Sequence, residues 1–313
     1  MNEKLNTMVT EMKKQTIGVE IEMADITREN AIRVIAGHFG TESTILYEGG
    51  AYKKWTCRDT QGRKWEVSRD SSIRARIDDE KSELGTPILK YDDIETLQQI
   101  ARKLRKAGAV SDPIHGCGVH IHIGANGHDA KTLRNLTNIM ASHERLLIDA
   151  INIAASRTGT YCKVTNENFL KLLNTVKPKS MSRLADIWYT GNGADWSRSN
   201  HYNESRYHML NLHATFTKGT VEFRLFQFDN PCEERKGGIH AGQLKAYIQL
   251  CLALSQMAKT VKNASAKPQQ TENPKYAMRT WLLRLGFIGD EFATAREMLT
   301  KRLQGNGAFR TAR

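Results

Sequence analysis

The sequence predicts an α+β fold in which a mostly antiparallel sheet packs on helices with one face and carries ionisable side chains on the other. Two observations lead to this prediction. Three short segments alternate apolar and ionisable residues with the period of a β-strand, and the segments between them place apolar residues at helical spacing. Buried charges are costly unless they are paired or hold a metal, so the charged face is the expected site.

The first half of the chain begins with a strand over residues 17–23, where Glu20 and Glu22 share one face. A helix is expected over residues 28–38, because Thr27 can cap its start and Gly40 can end it. Residues 52–58 and 64–67 are typical of a β-hairpin with its turn at residues 59–62. A short strand over residues 82–89, ended by Pro87, then places Glu83 near its end, where the side chain can face a cleft.

A second alternating segment, over residues 115–124, is predicted to be the central strand. His120 and His122 share one of its faces, and Val119, Ile121 and Ile123 share the other. An amphipathic helix opened by Asp92 and Asp93 precedes it, and a long helix capped by Asp129 follows. On the apolar stripe of that long helix, His143 is expected to be a half-buried residue with its polar atoms satisfied.

In the second half of the chain, the residues before the third charged strand have a less regular pattern of apolar residues. Residues 157–200 are expected to be an insert or lid with a short helix over residues 169–176. The third alternating strand, residues 220–226, has Glu222 and Arg224 on one face, and a helix is predicted over residues 234–259. We therefore expect a catalytic domain over residues 1–258, a polar linker over residues 259–275 and a helical C-terminal extension over residues 276–313.

Composition narrows the class of protein. The 313 residues are 40% hydrophobic and 26% charged, and no apolar run approaches the roughly 20 residues of a membrane helix, which predicts a soluble protein without membrane contact. The N-terminus has no signal-peptide core, and the five cysteines include no CxxC pair, so a cytoplasmic protein with free thiols is expected. The net charge of +12 would suit nucleic acid, but the basic residues are dispersed and aromatics are only 7%, which disfavours that partner. No oligomeric state follows from the sequence.

The ionisable residues of the predicted sheet form a set of potential metal ligands that is rich in oxygen. It consists of Glu20, Glu22, Glu83, His120 and Glu222. Hard cations prefer oxygen ligands, which favours Mg²⁺ or Mn²⁺ over zinc, and the number of carboxylates favours two or more ions. A zinc site of Cys117, His120 and His122 is disfavoured, because strand parity points Cys117 away from both histidines.

Two other classes remain open at this level. A cupin-like metal-dependent oxygenase or hydrolase would use the His-x-His pair with a further histidine, for which His208 and His213 are the candidates. A basic metal-dependent nucleic-acid-binding protein would need a basic face with stacking aromatics. The chain has no GxxxxGK[ST] loop, so nucleotide phosphates would have to be held in another way.

The order of the short motifs resembles that of the amidoligase family, which belongs to the carboxylate-amine ligase superfamily of glutamine synthetase and γ-glutamylcysteine synthetase. The matching blocks are GVEIE at residues 18–22, DSSI at 70–73, ELGTP at 83–87, GVHIH at 118–122, Asn211 and TVEFRLF at 220–226. They extend over residues 17–228. The resemblance implies a glutamine synthetase-like curved sheet with helices on its convex face.

The resemblance also implies an ATP-dependent ligase that forms an amide through an acyl phosphate, on an amino acid, a peptide or a protein side chain. By similarity, Glu22 and Glu83 would hold one Mg²⁺, and Glu20, His120 and Glu222 another. His122 would contact an ATP phosphate, and Arg224 the transferring phosphoryl group or the substrate carboxylate. Arg206 and Asn211 would be outer contacts to substrate or phosphate, and Asp70 a metal neighbour or a contact to the amine. A further ligand beside Glu22 and Glu83 is left open between Glu66, Asp70 and water.

Overall fold

The computed structural model describes residues 3–230, 238–268 and 271–309, and strands predominate in the first part of the chain and helices in the second. The fold is mixed α/β with a large antiparallel sheet, as the sequence predicts. The strands are β1 Ile17–Met23, β2 Leu46–Gly49, β3 Lys54–Arg58, β4 Lys64–Arg69, β5 Ser82–Gly85, β6 Val119–Gly124, β7 Leu210–Asn211 and β8 Thr220–Phe226. The helices are α1 Glu3–Lys13, α2 Arg28–Phe39, α3 Ile94–Lys106, α4 Ala130–Ile151, α5 Ala155–Thr160, α6 Glu167–Val176, α7 Met181–Gly191, α8 His213–Lys218, α9 Ala241–Thr260, α10 Pro274–Arg284 and α11 Ala293–Thr300.

These elements form two compact units, each built from separate stretches of the chain. The strand-rich unit consists of Thr16–Ile121 and Phe226–Lys245. The helix-rich unit consists of Met1–Gln15, His122–Leu225 and Ala246–Arg313. Three elements, β6, β8 and α9, continue from one unit into the other, so each unit is described below by its own residues.

The strand-rich unit contains the hydrogen-bonded strand order β2-β3-β4-β5-β1-β6. The pairs β2–β3, β3–β4, β4–β5 and β5–β1 are antiparallel. Val19, Ile21 and Met23 of β1 are at most 1% exposed, and the buried stripe of α2, which packs on β3, β4 and β5, covers the apolar face. The predicted alternation of an apolar face and a charged face is confirmed for β1.

The local signals read in this unit are also confirmed. Thr27 caps α2 by accepting a hydrogen bond from the backbone N–H of Asn30, and Gly40 ends the helix at φ +69°. The left-handed conformation at Gly40 is one that side chains other than glycine rarely adopt. The hairpin β3–β4 turns at residues 59–62, while the strand carrying Glu83 ends at Gly85, two residues before Pro87.

The helix-rich unit is organised around α4, the long helix that Asp129 caps as predicted. Its strands follow the order β6-β8-β7, and β7 and β8 are antiparallel. The expected insert over residues 157–200 is largely helical, since α6 packs against α4 and α7. Gly191 of α7 approaches the backbone of Phe169 so closely that a Cβ there would lie 2.5 Å from the Phe169 Cα.

The C-terminal helices and the polar stretch before them are attached to α4. The His143 ring, half-buried as predicted, stacks on Trp281 of α10 at 3.8 Å between centroids, and Arg302 donates to the carbonyl of Ile151. Asn135 donates to the carbonyls of Ala258 and Val261 and accepts from the N–H of Ala264. The beginning of the predicted linker therefore runs along α4 with its backbone hydrogen-bonded.

Some elements lie outside the sequence-based prediction. These are α1, the edge strand β2, α5, α7, β7 and α8. The helix expected over residues 234–259 is observed as α9, and residues 234–237 lie outside the described residues. Four cysteines are buried, namely Cys57, Cys117, Cys162 and Cys251, whereas Cys232 lies outside the described part of the chain. No helix among the described residues is long and apolar enough to cross a membrane.

Candidate functional site

The register of β1, β5 and β4 brings carboxylates together in the strand-rich unit. Glu22 of β1 lies directly opposite Glu83 of β5, and Glu83 lies opposite Ser68 of β4. Directly opposed residues of an antiparallel pair project from the same face of the sheet. The side chains of Glu22 and Glu83 therefore share a face, although 60 residues separate them in the chain.

His120 of β6 joins this face through Glu20 and Glu22. Its Nδ1 atom lies 3.1 Å from Glu20 Oε2, and its Nε2 atom lies 3.8 Å from Glu22 Oε1. The backbone N–H of Gly118 donates to Glu22 Oε2 at 2.6 Å. Glu22 is 5% exposed and His120 is 3% exposed, so both are removed from bulk water.

Five side chains form what we call the acidic cluster: Glu20, Glu22, Asp70, Glu83 and His120. It contains two groups of potential metal ligands whose ligand atoms lie within 4.8 Å of one another. One group is Glu20, Glu83 and His120, and the other is Glu22, Asp70 and Glu83. Carboxylates this close repel one another unless a proton or cation lies between them. The oxygen-rich donor set therefore fits a hard divalent cation such as Mg²⁺ or Mn²⁺.

The structure distinguishes the two carboxylates that the sequence left open beside Glu22 and Glu83. Glu66 accepts hydrogen bonds from the Lys54 ammonium at 3.0 Å to each oxygen, whereas Asp70 belongs to a ligand group. Part of this environment could be read from the sequence, because Lys64 lies two residues before Glu66 on the same strand face, and its Nζ atom lies 3.9 Å from Glu66 Oε2. Asp70 also accepts from the N–H of Ser72, an Asx-type turn that fixes the carboxylate after the end of β4.

The helix-rich unit contains a second polar group, which we call the His-Glu-Arg cluster: His122, Asn211, Thr220, Glu222 and Arg224. Glu222 is 1% exposed and accepts from Asn211 Nδ2 at 2.6 Å and from Arg224 Nη1 at 2.5 Å. His122 lies with Nδ1 2.9 Å from the Thr220 hydroxyl and with Nε2 3.8 Å from Glu222 Oε1. A buried carboxylate held in this way is paired and hydrogen-bonded, as its burial requires.

Two residues that the sequence did not single out support Arg224. Arg157, itself 3% exposed, donates to the Arg224 carbonyl at 3.0 Å, and the Arg224 guanidinium lies 5.9 Å from the centre of the Tyr207 ring. Arg206 lies over the same ring at 5.8 Å and over Tyr202 at 5.6 Å. Arg157 lies in the segment read as an insert, where no motif marked it.

The residues needed by the zinc and cupin-like alternatives are engaged elsewhere. Cys117 packs in an apolar cluster with Ala24 and Ile73, as strand parity predicted. Burial lowers the pKa of His208 and of His213, whose Nδ1 atoms lie within hydrogen-bond distance of the Ser205 carbonyl and the Tyr189 hydroxyl respectively. No ligand group in the described part of the chain includes Cys117, His208 or His213.

Comparison with known proteins shows that most of the sequence matches the model of an enzyme family. The model of a family described as "Putative amidoligase enzyme" matches residues 13–255. No curated protein sequence was found to match. Among solved structures, the chain is similar to the crystal structure of a bifunctional glutathione synthetase from Pasteurella multocida, with a TM-score of 0.45 and 12% identity. The similarity covers 96% of this chain and 49% of that one, so the chain spans about half the length of that protein.

Proposed function

Because the chain belongs to this amidoligase family, we propose that it is an ATP-dependent carboxylate-amine ligase that forms an amide bond through an acyl phosphate. In this reaction an oxygen of the substrate carboxylate attacks the γ-phosphorus of ATP, and ADP leaves. The lone pair of the neutral amine nitrogen then attacks the carbonyl carbon, and phosphate leaves with the electron pair of the broken C–O bond and takes up the proton that the nitrogen loses. The glutamine synthetase-like form of the sheet is part of this proposal.

The acidic cluster is the single observation that carries the proposal. Its two ligand groups have Glu83 in common. One group has three carboxylates and the other has two carboxylates and an imidazole, which is the size and donor type that Mg²⁺ uses. Glu22, Asp70 and Glu83 would hold one ion, and Glu20, Glu83 and His120 are suited to another. When bound, Mg²⁺ supplies neutralisation of the charge that develops on transferring phosphoryl oxygens.

The His-Glu-Arg cluster supplies the complementary chemistry, a fixed cation for an anionic group. Glu222 and Tyr207 hold the Arg224 guanidinium, and Arg157 holds its backbone. A guanidinium fixed in this way is pre-organised for a phosphoryl or carboxylate group, which lowers the entropy lost on binding. We assign Arg224 and His122 to phosphate or substrate carboxylate, with Asn211 orienting Glu222 and Arg206 as an outer contact.

The proposed substrates are a carboxylate and an amine, each a free amino acid, a peptide or a protein side chain. The test is ADP release by the purified protein with ATP and Mg²⁺, against pooled amino acids, polyamines and glutamate-rich peptides. We expect at least one pool to stimulate ADP release by the wild type. Absence of stimulation by every pool, together with tightly bound iron or zinc in the isolated protein, would overturn the ligase assignment.

The variant Glu222→Gln provides the inactive control, with one structural complication. Its amide would keep one oxygen acceptor but present N–H groups to either Asn211 or Arg224, which are both donors, so part of any loss of activity would be loss of stability. Arg224→Lys retains the charge and the carboxylate but removes the planar guanidinium. We expect both variants to lose ADP release, with Arg224→Lys melting within a few degrees of the wild type.

A further inference from the structure

The turn between α3 and β6 contains an aspartate and a histidine that form a closely held pair. Asp112 Oδ1 accepts from the backbone N–H of His115 at 3.0 Å and lies 3.0 Å from Nδ1 of the His115 ring. Asp112 is 0% exposed, whereas 29% of the His115 side chain is exposed. Nε2 of the ring makes no hydrogen bond to a residue that the structure describes.

This arrangement fixes the chemistry of the imidazole. An aspartate that accepts from Nδ1–H holds the tautomer in which Nε2 carries a lone pair and can take up a proton. The second oxygen of Asp112, Oδ2, is buried without a hydrogen-bond partner among the described residues. A fully buried carboxylate needs hydrogen-bond donors, and the backbone N–H of His115 and the Nδ1–H of its ring supply them at Oδ1.

The turn lies against the segment that carries Asp70 of the acidic cluster. The backbone N–H of Arg74 donates to the His115 carbonyl at 2.8 Å, and its guanidinium donates to the Pro113 carbonyl at 3.0 Å. Gly116, at φ +76°, approaches so closely that a Cβ there would lie 3.3 Å from the Ser72 carbonyl oxygen. Gly118, whose backbone N–H donates to Glu22, follows His115 by three residues. The length of the chain therefore limits the distance between the Cα atoms of His115 and Gly118 to about 11 Å.

Within the described ranges, three charged or titratable groups face His115. Asp112 belongs to the turn itself, Arg74 comes from the neighbouring segment, and the Cys117 thiol contacts the His115 carbonyl at 3.9 Å. Of these groups, the Asp112 carboxylate is the one in direct contact with the imidazole ring.

We propose that His115, positioned by Asp112, accepts the proton that the amine substrate must lose before it attacks the activated carboxylate. This inference rests on the ligase function proposed above. Primary amines have pKa values of about 8 to 10.4 and are mostly ammonium ions at pH 7, without a lone pair for attack. One ammonium proton passes to His115 Nε2, and the freed nitrogen lone pair forms the bond to the carbonyl carbon. Phosphate leaves with the electrons of the C–O bond and takes up the second proton that the nitrogen loses as the amide forms.

The experiment compares two nucleophiles in the wild type, His115→Asn and Asp112→Asn. Hydroxylamine is neutral at pH 7 and needs no base to free its lone pair. The amino groups of the pooled amino acids and polyamines are protonated at this pH and must first lose a proton to a base. Hydroxamate and amide formation are measured with the carboxylate pool that stimulates ADP release. We expect His115→Asn to keep hydroxamate formation within about twofold and to lose amide formation by about 10²-fold or more. Raising the pH should increase its amide rate about tenfold per unit, as more free amine is present.

The controls separate the possible outcomes. His201→Asn replaces an exposed histidine and should leave both rates unchanged, and Asp112→Asn should lose amide formation selectively. Equal effects of His115→Asn on the two products would overturn the role of His115 while leaving the ligase function intact. Absence of hydroxamate from the wild type itself would overturn the ligase function and this inference together.

Discussion

Glu83 is the residue on which both ligand groups of the acidic cluster depend. It lies opposite Glu22 in the sheet and belongs to the group of Glu20 and His120 as well as to the group of Glu22 and Asp70. Glu66, on the neighbouring strand β4, is a carboxylate of the same type that is neutralised by Lys54. The two glutamates therefore differ in electrostatic environment rather than in chemistry.

Replacement of Glu83 by Gln should weaken divalent cation binding. We expect the affinity for Mn²⁺ to fall at least tenfold, because a charged oxygen is lost from both ligand groups. In the absence of metal, the same variant should unfold at a higher denaturant concentration than the wild type, since repulsion among the carboxylates is reduced. Calorimetric titration with Mn²⁺ and denaturant unfolding in EDTA measure the two effects.

Glu66→Gln is the matched control for this prediction. It removes one carboxylate from the same sheet but leaves Glu20, Glu22, Asp70 and Glu83 in place, so Mn²⁺ affinity should stay within about twofold. If Glu83→Gln and Glu66→Gln bind Mn²⁺ equally well, the acidic cluster is not the metal site.

At the scale of elements, helix α4 determines the path of the chain after α9. Asn135 is 1% exposed and makes three hydrogen bonds to backbone groups of residues 258–264, and Asn138 donates to the Ala264 carbonyl. The polar composition of residues 259–275 predicts a linker, because composition indicates only that this stretch has little apolar surface to bury. Composition does not indicate that Asn135 and Asn138, more than 120 residues earlier, form hydrogen bonds with the backbone groups of this stretch.

Asn135→Leu should therefore destabilise the protein by at least about 2 kcal/mol, because it leaves backbone groups near Ala258 and Val261 without partners. The exposed bond after Lys262 should also be cut faster by trypsin. Asn168→Leu, at an exposed position of α6, is the control and should change neither property. Equal trypsin cleavage of the wild type and Asn135→Leu would mean that the hydrogen bonds of Asn135 do not hold this segment.

At the scale of the whole molecule, buried histidines couple stability to pH. Burial lowers the pKa of five of them, His38, His128, His143, His208 and His213. The effect is largest for His128, where burial and then the Lys259 charge lower the pKa to about 3. Its ring lies between the Thr132 and Ser255 hydroxyls, which suits a neutral imidazole.

The sign of the coupling follows from proton binding. Between pH 6.5 and about 3 the unfolded chain binds a proton at His128 that the folded protein excludes, so stability falls as the pH falls through this window. From pH 7 to pH 5 the loss due to His128 alone should be up to about 2 kcal/mol. The carboxylate pKa values lowered by ion pairs, such as that of Asp78 at about 2, act only at lower pH.

Denaturant unfolding at pH 7 and pH 5 in EDTA tests this prediction. His128→Gln cannot titrate, so its stability should fall less between the two pH values than that of the wild type. The difference between the two proteins isolates His128 from the other histidines and from the carboxylates. An equal fall in both proteins would show that His128 is protonated in the folded state at pH 5.

The features that depend on neighbouring residues follow from the sequence alone. Strand alternation placed Glu20 and Glu22 on one face, Thr27 and Gly40 bounded a helix, and parity removed Cys117 from the histidine face. These signals are local because side-chain direction and capping are set within a few residues. The order of the motifs also indicated the family that the full match then showed.

Tertiary structure alone decided which distant residues meet. It set Glu22 opposite Glu83 and placed Asp70, rather than Glu66, within ligand distance of both. It also brought Arg157 to the Arg224 carbonyl and hydrogen-bonded the stretch after α9 to Asn135. Strand pairing and packing join positions tens of residues apart, and many pairings satisfy the same alternation of apolar and charged residues. The sequence by itself therefore determined the chemical groups and their local directions, while long-range packing determined which of them lie within ligand distance of one another.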